Sequence, residues 1–147
     1  MTRDRQLTGV RHAHDPYFIM VVDDRTAARN LLLGLARRCE DNVSAEGYSG
    51  AKEAIQRALE KTPDLIITDY HMPDMNGIEF VRLMRATPSL ADTPVLMITI
   101  SDDQGIRHRA LEAGVSDFMI RPIDPIECRT RCRNLLLQRR TKMGTST

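Results

Sequence analysis

The chain has no apolar run long enough to cross a bilayer. Its longest, Tyr17 to Val22, falls far short of the roughly 20 residues a spanning helix needs. The N-terminus carries no apolar stretch of the secretory kind, so the sequence points to the cytoplasm. Cysteine is scarce and odd in number: Cys39, Cys128 and Cys132. None has the spacing of a structural metal site. Cys128 and Cys132 are four apart on a predicted helix, and no matching His or Cys completes a zinc set. They read as small buried hydrophobes in a reducing compartment. Neither sign of charge dominates. Lys plus Arg total 21, Asp plus Glu total 20, and the net charge is +1, which argues against a nucleic-acid footprint over the whole chain. Lysine is nearly absent; with 3 lysines, 21 − 3 = 18 basic residues are arginine. From Arg121 onward there are seven basic and two acidic residues, a pattern of a solvated helix face and tail. There is no internal repeat and no low-complexity tract. What remains is 147 residues, 41% hydrophobic and 28% charged, the size and balance of one soluble domain.

Residues 1–16 are polar and without periodicity, and read as a flexible leader. From residue 17 strands and helices alternate. Phe18 to Val22 is a continuous apolar run, the pattern of a strand covered on both faces. Thr26 to Arg38 follows with Ala28, Leu31, Leu32 and Leu35 at helical spacing. Val43 to Tyr48 is a strand of mixed polarity, suited to a sheet edge. Gly50 to Lys61 is helical. Leu65 to Ile67 is a second buried strand, closed by Asp69. Pro73, Asp74, Asn76 and Gly77 are turn residues, and a helix runs from Gly77 to Ala86. Pro94 to Ile98 is a third buried strand leading to Thr99. A polar helix from Gly105 to Ala113 ends at Gly114, a left-handed cap. Asp117 to Ile120 is the last strand, and a long helix runs from about Asp124 to Arg139. Residues 17–140 therefore form the domain, and residues 141–147 are a small polar tail or truncated linker. Five strand–helix units of these lengths imply an α/β fold: a doubly wound parallel sheet with right-handed crossovers. Its site lies at the carboxyl ends of the strands.

Those ends carry the chemistry. Asp23 and Asp24 follow the first strand, Asp69 ends the third, Thr99 ends the fourth and Arg121 follows the fifth. Three carboxylates in one pocket repel unless a cation joins them. Hard oxygen ligands suit Mg2+, which takes few protein ligands and keeps several waters. A divalent ion, a hydroxyl and an arginine around a carboxylate suit a phosphoryl group, and the carboxylate itself can be the nucleophile. Singly, each residue has a plainer reading. A strand-ending Asp caps helices and forms turns, Thr99 is an ordinary strand residue, Arg121 is one arginine among many, and Phe118 is core.

Four segments in order resolve the choice: IMVVDD from Ile19 to Asp24, LIITDYHMPDMNG from Leu65 to Gly77, MIT from Met97 to Thr99, and DFMIRP from Asp117 to Pro122. With separations of 99 − 69 = 30 and 121 − 99 = 22, they resemble the CheY-like receiver domain of bacterial two-component response regulators. The likeness covers about Tyr17 to Arg140. It implies a flavodoxin-like sheet of order 2-1-3-4-5 with five helices. It implies that Asp69 accepts a phosphoryl group from a phosphohistidine of a sensor kinase or phosphotransfer protein. Mg2+ would be held by Asp23, Asp24, Asp69 and the main-chain carbonyl of His71. Thr99 would bond a phosphoryl oxygen and shift, and Phe118 would swing inward with it. The helix from Gly105, the last strand and the last helix would be the readout surface, which also allows a homodimer. His71 and Ser101 stand where the family tunes self-dephosphorylation.

One position departs from the pattern. Arg121 stands where the family has Lys, exchanging a compact charge for a planar fork. Arg121–Pro122 falls where the family usually has a cis peptide bond. The run from Arg121 to Leu137 is similar to receivers that precede HD-GYP phosphodiesterases, which implies a C-terminal output domain in a longer chain. The chain would be no enzyme beyond its own phosphorylation and dephosphorylation. The alternative is a pseudo-receiver, a binding or dimerisation module that takes no phosphate. A phosphatase of the aspartyl-phosphate type is disfavoured, because His71 stands where such enzymes place an acid–base Asp. No membrane partner is expected.

Overall fold

The computed structural model describes residues 15–100 and 103–145, with side chains to Arg139. The run YFIMVV forms β1, Tyr17–Val22, and is buried at all six positions. A continuous apolar strand survives only where both faces are covered. Here alternate residues feed two separate cores. Tyr17, Ile19 and Val21 point to one, and Phe18, Met20 and Val22 to the other.

Around β1 the chain lays down α1 (Thr26–Arg37), β2 (Val43–Tyr48), α2 (Ala51–Glu60), β3 (Leu65–Asp69) and α3 (Gly77–Arg85). Next come a short 3-10 turn (Pro88–Leu90), β4 (Val95–Thr99), α4 (Gln104–Ala113), β5 (Asp117–Ile120) and α5 (Pro125–Thr145). All pairings are parallel, in the order β2-β1-β3-β4-β5. The predicted doubly wound sheet and its strand order are therefore present. The mixed-polarity strand β2 is an edge strand, half-buried at every position. Leu32, Leu35 and Ala36 of α1 pack with Cys128, Cys132, Leu135 and Leu136 of α5 on one face. The other face takes Ala51, Ala54 and Ala58 of α2, Phe80, Val81 and Met84 of α3, and Ala110 of α4. All three cysteines are buried and unpaired, as hydrophobes of that size should be.

Caps set the starts of several helices. Asn76 accepts from the Glu79 N–H at 2.9 Å while Glu79 accepts from the Asn76 N–H at 3.0 Å, a reciprocal capping box. Asp103 accepts from Gly105 and Ile106. Asp124 accepts from the Ile126 N–H at 2.9 Å, with Pro125 at the first helical position, where its missing N–H costs nothing. Gly114 ends α4 at φ 108°, the left-handed cap expected from the sequence.

Two features differ from the sequence reading. The 3-10 turn at Pro88–Leu90 falls in a stretch read as a plain connection. The backbone of α5 stays helical to Thr145, past the end placed at Arg139. Residues 140–143 contain no helix breaker, so the small polar composition that suggested a tail does not stop the helix. The leader falls almost wholly on residues outside those described, as does Ser101. Among the described residues no helix is long and apolar enough to cross a membrane.

Candidate functional site

Parallel register brings the strand-ending residues level. Val22 pairs with Thr68, so Asp23 emerges beside Asp69. Asp69 pairs with Ile98, which puts Thr99 one residue further along the neighbouring strand. Thr99 pairs with Ile120, so Arg121 follows it out of the sheet. Backbone bonds hold these ends: Tyr70 N–H to Ile98 C=O at 2.9 Å, Arg121 N–H to Thr99 C=O at 2.9 Å, and Asp23 N–H to Tyr48 C=O at 3.0 Å. The Arg121–Pro122 bond is cis. The loop after β3 closes tightly beneath Asp69. The Gly77 N–H donates to Tyr70 C=O at 2.7 Å, and a Cβ on Gly77 would sit 3.0 Å from the Asp69 carbonyl and 2.8 Å from the Met97 methyl. A larger residue there would press on the backbone beneath Asp69 and displace the Met97 methyl.

One carboxylate oxygen from each of Asp23, Asp24 and Asp69 lies within 4.8 Å of the others. Asp23 and Asp69 are buried and Asp24 is exposed. Arg121 Nη2 donates to Asp23 Oδ2 at 2.8 Å and lies 3.8 Å from Asp69 Oδ1. Its Nε is buried without a hydrogen-bond partner. Arg29 donates to the Asp23 carbonyl at 2.8 Å, and the Asp23 carboxylate accepts the Arg25 N–H at 3.0 Å. Burial pushes the Asp69 carboxyl above its ordinary value. The charge of Asp23 adds to the rise, while Arg121 and Arg25 oppose it. Burial, more than the neighbouring acid, is thus what disfavours the charged form of Asp69.

An open cleft of about 370 Å³ leads to this cluster, lined by Asp24, Arg25, Asp69, His71, Met72, Pro73 and Ile100. Asp23, Asp24, Asp69 and Arg121 are brought into one cluster as the sequence suggested, with Thr99 buried at the next strand end. His71 is exposed on the rim. Phe118 is half-buried on the α3–α4 side of the sheet, with the Arg107 guanidinium 5.6 Å above its ring. The sequence reading missed Arg25, whose Nη2 lies 3.8 Å from Asp69 Oδ2. The signal was available: a cation directly after the acid pair.

The donor set fits a hard divalent cation. It offers three carboxylates, two of them buried, with one oxygen of each within 4.8 Å of the others. The unsatisfied Arg121 Nε–H fits an anionic oxygen beside them.

A sequence profile of the response regulator receiver domain matches residues 19–133. The chain is 41% identical over 118 residues, 80% of its length, to the cyclic di-GMP phosphodiesterase response regulator RpfG of Xanthomonas campestris pv. campestris, of which it spans 31%. It spans less than half the length of each of the first curated relatives it matches. The receiver domain of a signal transduction histidine kinase from Syntrophus aciditrophicus superposes with a TM-score of 0.75 at 28% identity, covering 83% of this chain and 91% of that one. The chemotaxis response regulator CheY4 of Vibrio cholerae shares the fold with a TM-score of 0.75 at 23% identity, over 82% of this chain and 98% of its own. The level strand ends and the acidic cluster thus sit on a scaffold with a known lineage, and the chain belongs to the response regulator receiver domain family of two-component signal transduction.

Proposed function

We propose that Asp69 is the phosphoacceptor of this receiver and that the donor is a phosphohistidine on a sensor kinase or phosphotransfer protein. The observation that carries the reading is the convergence of Asp23, Asp24 and Asp69 within 4.8 Å at the mouth of an open cleft. Asp23, Asp24, Asp69 and the His71 carbonyl would hold Mg2+. When bound, that ion neutralises charge on the phosphoryl oxygens and on the acids around them. Asp69 supplies the attacking oxygen. Arg121 offers an unpaired Nε–H to a phosphoryl oxygen while its Nη2 holds Asp23. Thr99 supplies a hydroxyl at the adjacent strand end and couples the site to β5, with which it pairs.

A phosphoryl group adds charge and acceptor oxygens at one point, which is how such groups bias a two-state surface. The surface formed by α4, β5 and α5 is the readout, with Phe118 as its internal sensor. Catalysis is confined to the chain's own phosphorylation and dephosphorylation. The short share of RpfG that is matched supports an output domain beyond the receiver, of the HD-GYP kind. Pairing of two copies through α4, β5 and α5, and a cytoplasmic location, complete the reading.

Intact-mass measurement with acetyl phosphate, with and without Mg2+, tests it. The wild-type chain should gain the mass of one phosphoryl group only when Mg2+ is present, and Asp69→Asn should gain none. Equal gain by the two proteins would contradict the reading, and no gain by either would make this a binding module that works without phosphate.

A further inference from the structure

Two guanidinium groups bracket the buried pair Asp23 and Asp69. Arg121 Nη2 lies 2.8 Å from Asp23 Oδ2 and 3.8 Å from Asp69 Oδ1. From the other side, Arg25 Nε lies 3.6 Å from Asp23 Oδ1, and its Nη2 lies 3.8 Å from Asp69 Oδ2. Every oxygen of the two carboxylates therefore faces an arginine. The two arginines differ in freedom. The Arg121 side chain is 14% exposed and is committed to Asp23 by a short charge-assisted bond. The Arg25 side chain is 53% exposed, reaches both acids only at distances beyond a hydrogen bond, and lines the open cleft. Its donors are close to the acceptor oxygen and uncommitted.

We propose that Arg25 is a phosphoryl-binding residue of this site, a second cation that moves from the edge of the Asp69 carboxylate onto the phosphoryl oxygens. The inference rests on Asp69 being the phosphoacceptor. In that step an Asp69 carboxylate oxygen forms a bond to phosphorus while the bond from phosphorus to the donor's leaving atom breaks. The leaving group departs with the electron pair. With acetyl phosphate dianion as donor, acetate leaves and no proton moves. A singly charged carboxylate becomes an acyl phosphate, a mixed anhydride carrying a doubly charged phosphoryl group that projects into the cleft. A planar fork of N–H donors on a mobile stem suits those oxygens.

The resting position of Arg25 has a second consequence. A cation beside Asp23 and Asp69 opposes a divalent ion drawn to the same carboxylates. Removing it therefore acts in opposite directions on the two ligands, tightening Mg2+ and weakening the phosphoryl group. A lesion of the fold would weaken both.

The test uses wild type, Arg25→Gln, Arg25→Lys and Asp69→Asn. Mg2+ affinity is read by calorimetry on the unphosphorylated chain, and phosphoryl uptake by intact mass over a series of acetyl phosphate concentrations. Arg25→Gln should bind Mg2+ about threefold more tightly, the scale of an exposed ion pair. Its phosphorylated fraction at subsaturating donor should fall roughly tenfold, the scale of a hydrogen bond to a charged group. Arg25→Lys should return Mg2+ affinity to the wild-type value and recover part of the uptake. The inference is overturned if Arg25→Gln takes up phosphate as wild type does, or if it loses both ligands and Lys restores neither. The two failures are distinguishable. Equal mass gain by wild type and Asp69→Asn removes the phosphoacceptor reading. Gain by wild type but not by Asp69→Asn, with Arg25→Gln indistinguishable from wild type, leaves that reading standing and removes only Arg25.

Discussion

Asp74 lies in the loop between β3 and α3, yet it serves a different helix. Its two oxygens accept from the N–H groups of Ala51 at 3.1 Å and Lys52 at 2.9 Å, at the start of α2. Gly50 precedes that helix and has no side chain to do this. Burial tends to raise the Asp74 carboxyl, but the N–H groups of Lys52 and Ala51 outweigh it and hold the carboxyl below its ordinary value of 3.8. Asp74→Ala should destabilise the protein by about 1 kcal/mol in urea unfolding at neutral pH, the usual cost of losing a helix cap. Because the folded pKa is the lower one, this contribution is complete above pH 3.8 and is lost as pH falls through the folded value. The stability gap between wild type and Asp74→Ala should therefore close on acidification and stay constant between pH 5 and 7. In the sequence Asp74 was legible only as a turn former. A cap supplied from another segment depends on how two loops meet, and no local pattern encodes that. Asp69 was legible because it closes an apolar strand at family spacing from Thr99 and Arg121.

At the scale of an element, one arginine ties the end of α3, whose apolar face is held by the core, to its neighbours. Arg85 donates to the carbonyls of Leu90 at 3.3 Å, Ala91 at 3.1 Å and Thr93 at 2.7 Å, and twice to that of Gly114 at 3.1 and 2.8 Å. It ties the end of α3 both to the turn before β4 and to the C-terminus of α4. Burial lowers its pKa, with Asp92 opposing. Arg85→Met should cost about 2–4 kcal/mol in chemical denaturation, because the carbonyls lose a charged donor while partly buried. Arg85→Lys should recover only a fraction, since one ammonium cannot span both segments. Amide exchange should rise first at residues 88–93 and 114–116. A Lys variant with full stability would show that the fork geometry is irrelevant. Strand and helix positions followed well from periodicity, and Gly114 was legible as a left-handed cap. Arg85 was not, because one structural arginine among 18 looks like the rest until the fold surrounds it. The end of α5 was misjudged for the converse reason: Arg140, Lys142 and Met143 are good helix formers, and the small polar residues among them do not forbid a helix.

For the molecule as a whole, the sheet is a device for alignment. Two cores clamp it from either side, and parallel register delivers acids from β1 and β3, a hydroxyl from β4 and a cation from β5 to one edge. This much was readable from the order of strand-ending residues. What was not readable was the pairing of charges: that Arg121 would settle on Asp23 at 2.8 Å and that Arg25 would reach Asp69. Those depend on side-chain reach across strands. The claim on which all else depends is that phosphate arrives at Asp69 and at neither neighbouring acid. The most direct measurement treats the protein with acetyl phosphate and Mg2+, reduces the product with borohydride, and maps peptides by mass. Reduction converts a phosphorylated aspartate to homoserine, marking the site in the chain itself. The account predicts homoserine at position 69 alone; homoserine at position 23 or 24, or none anywhere, would contradict it.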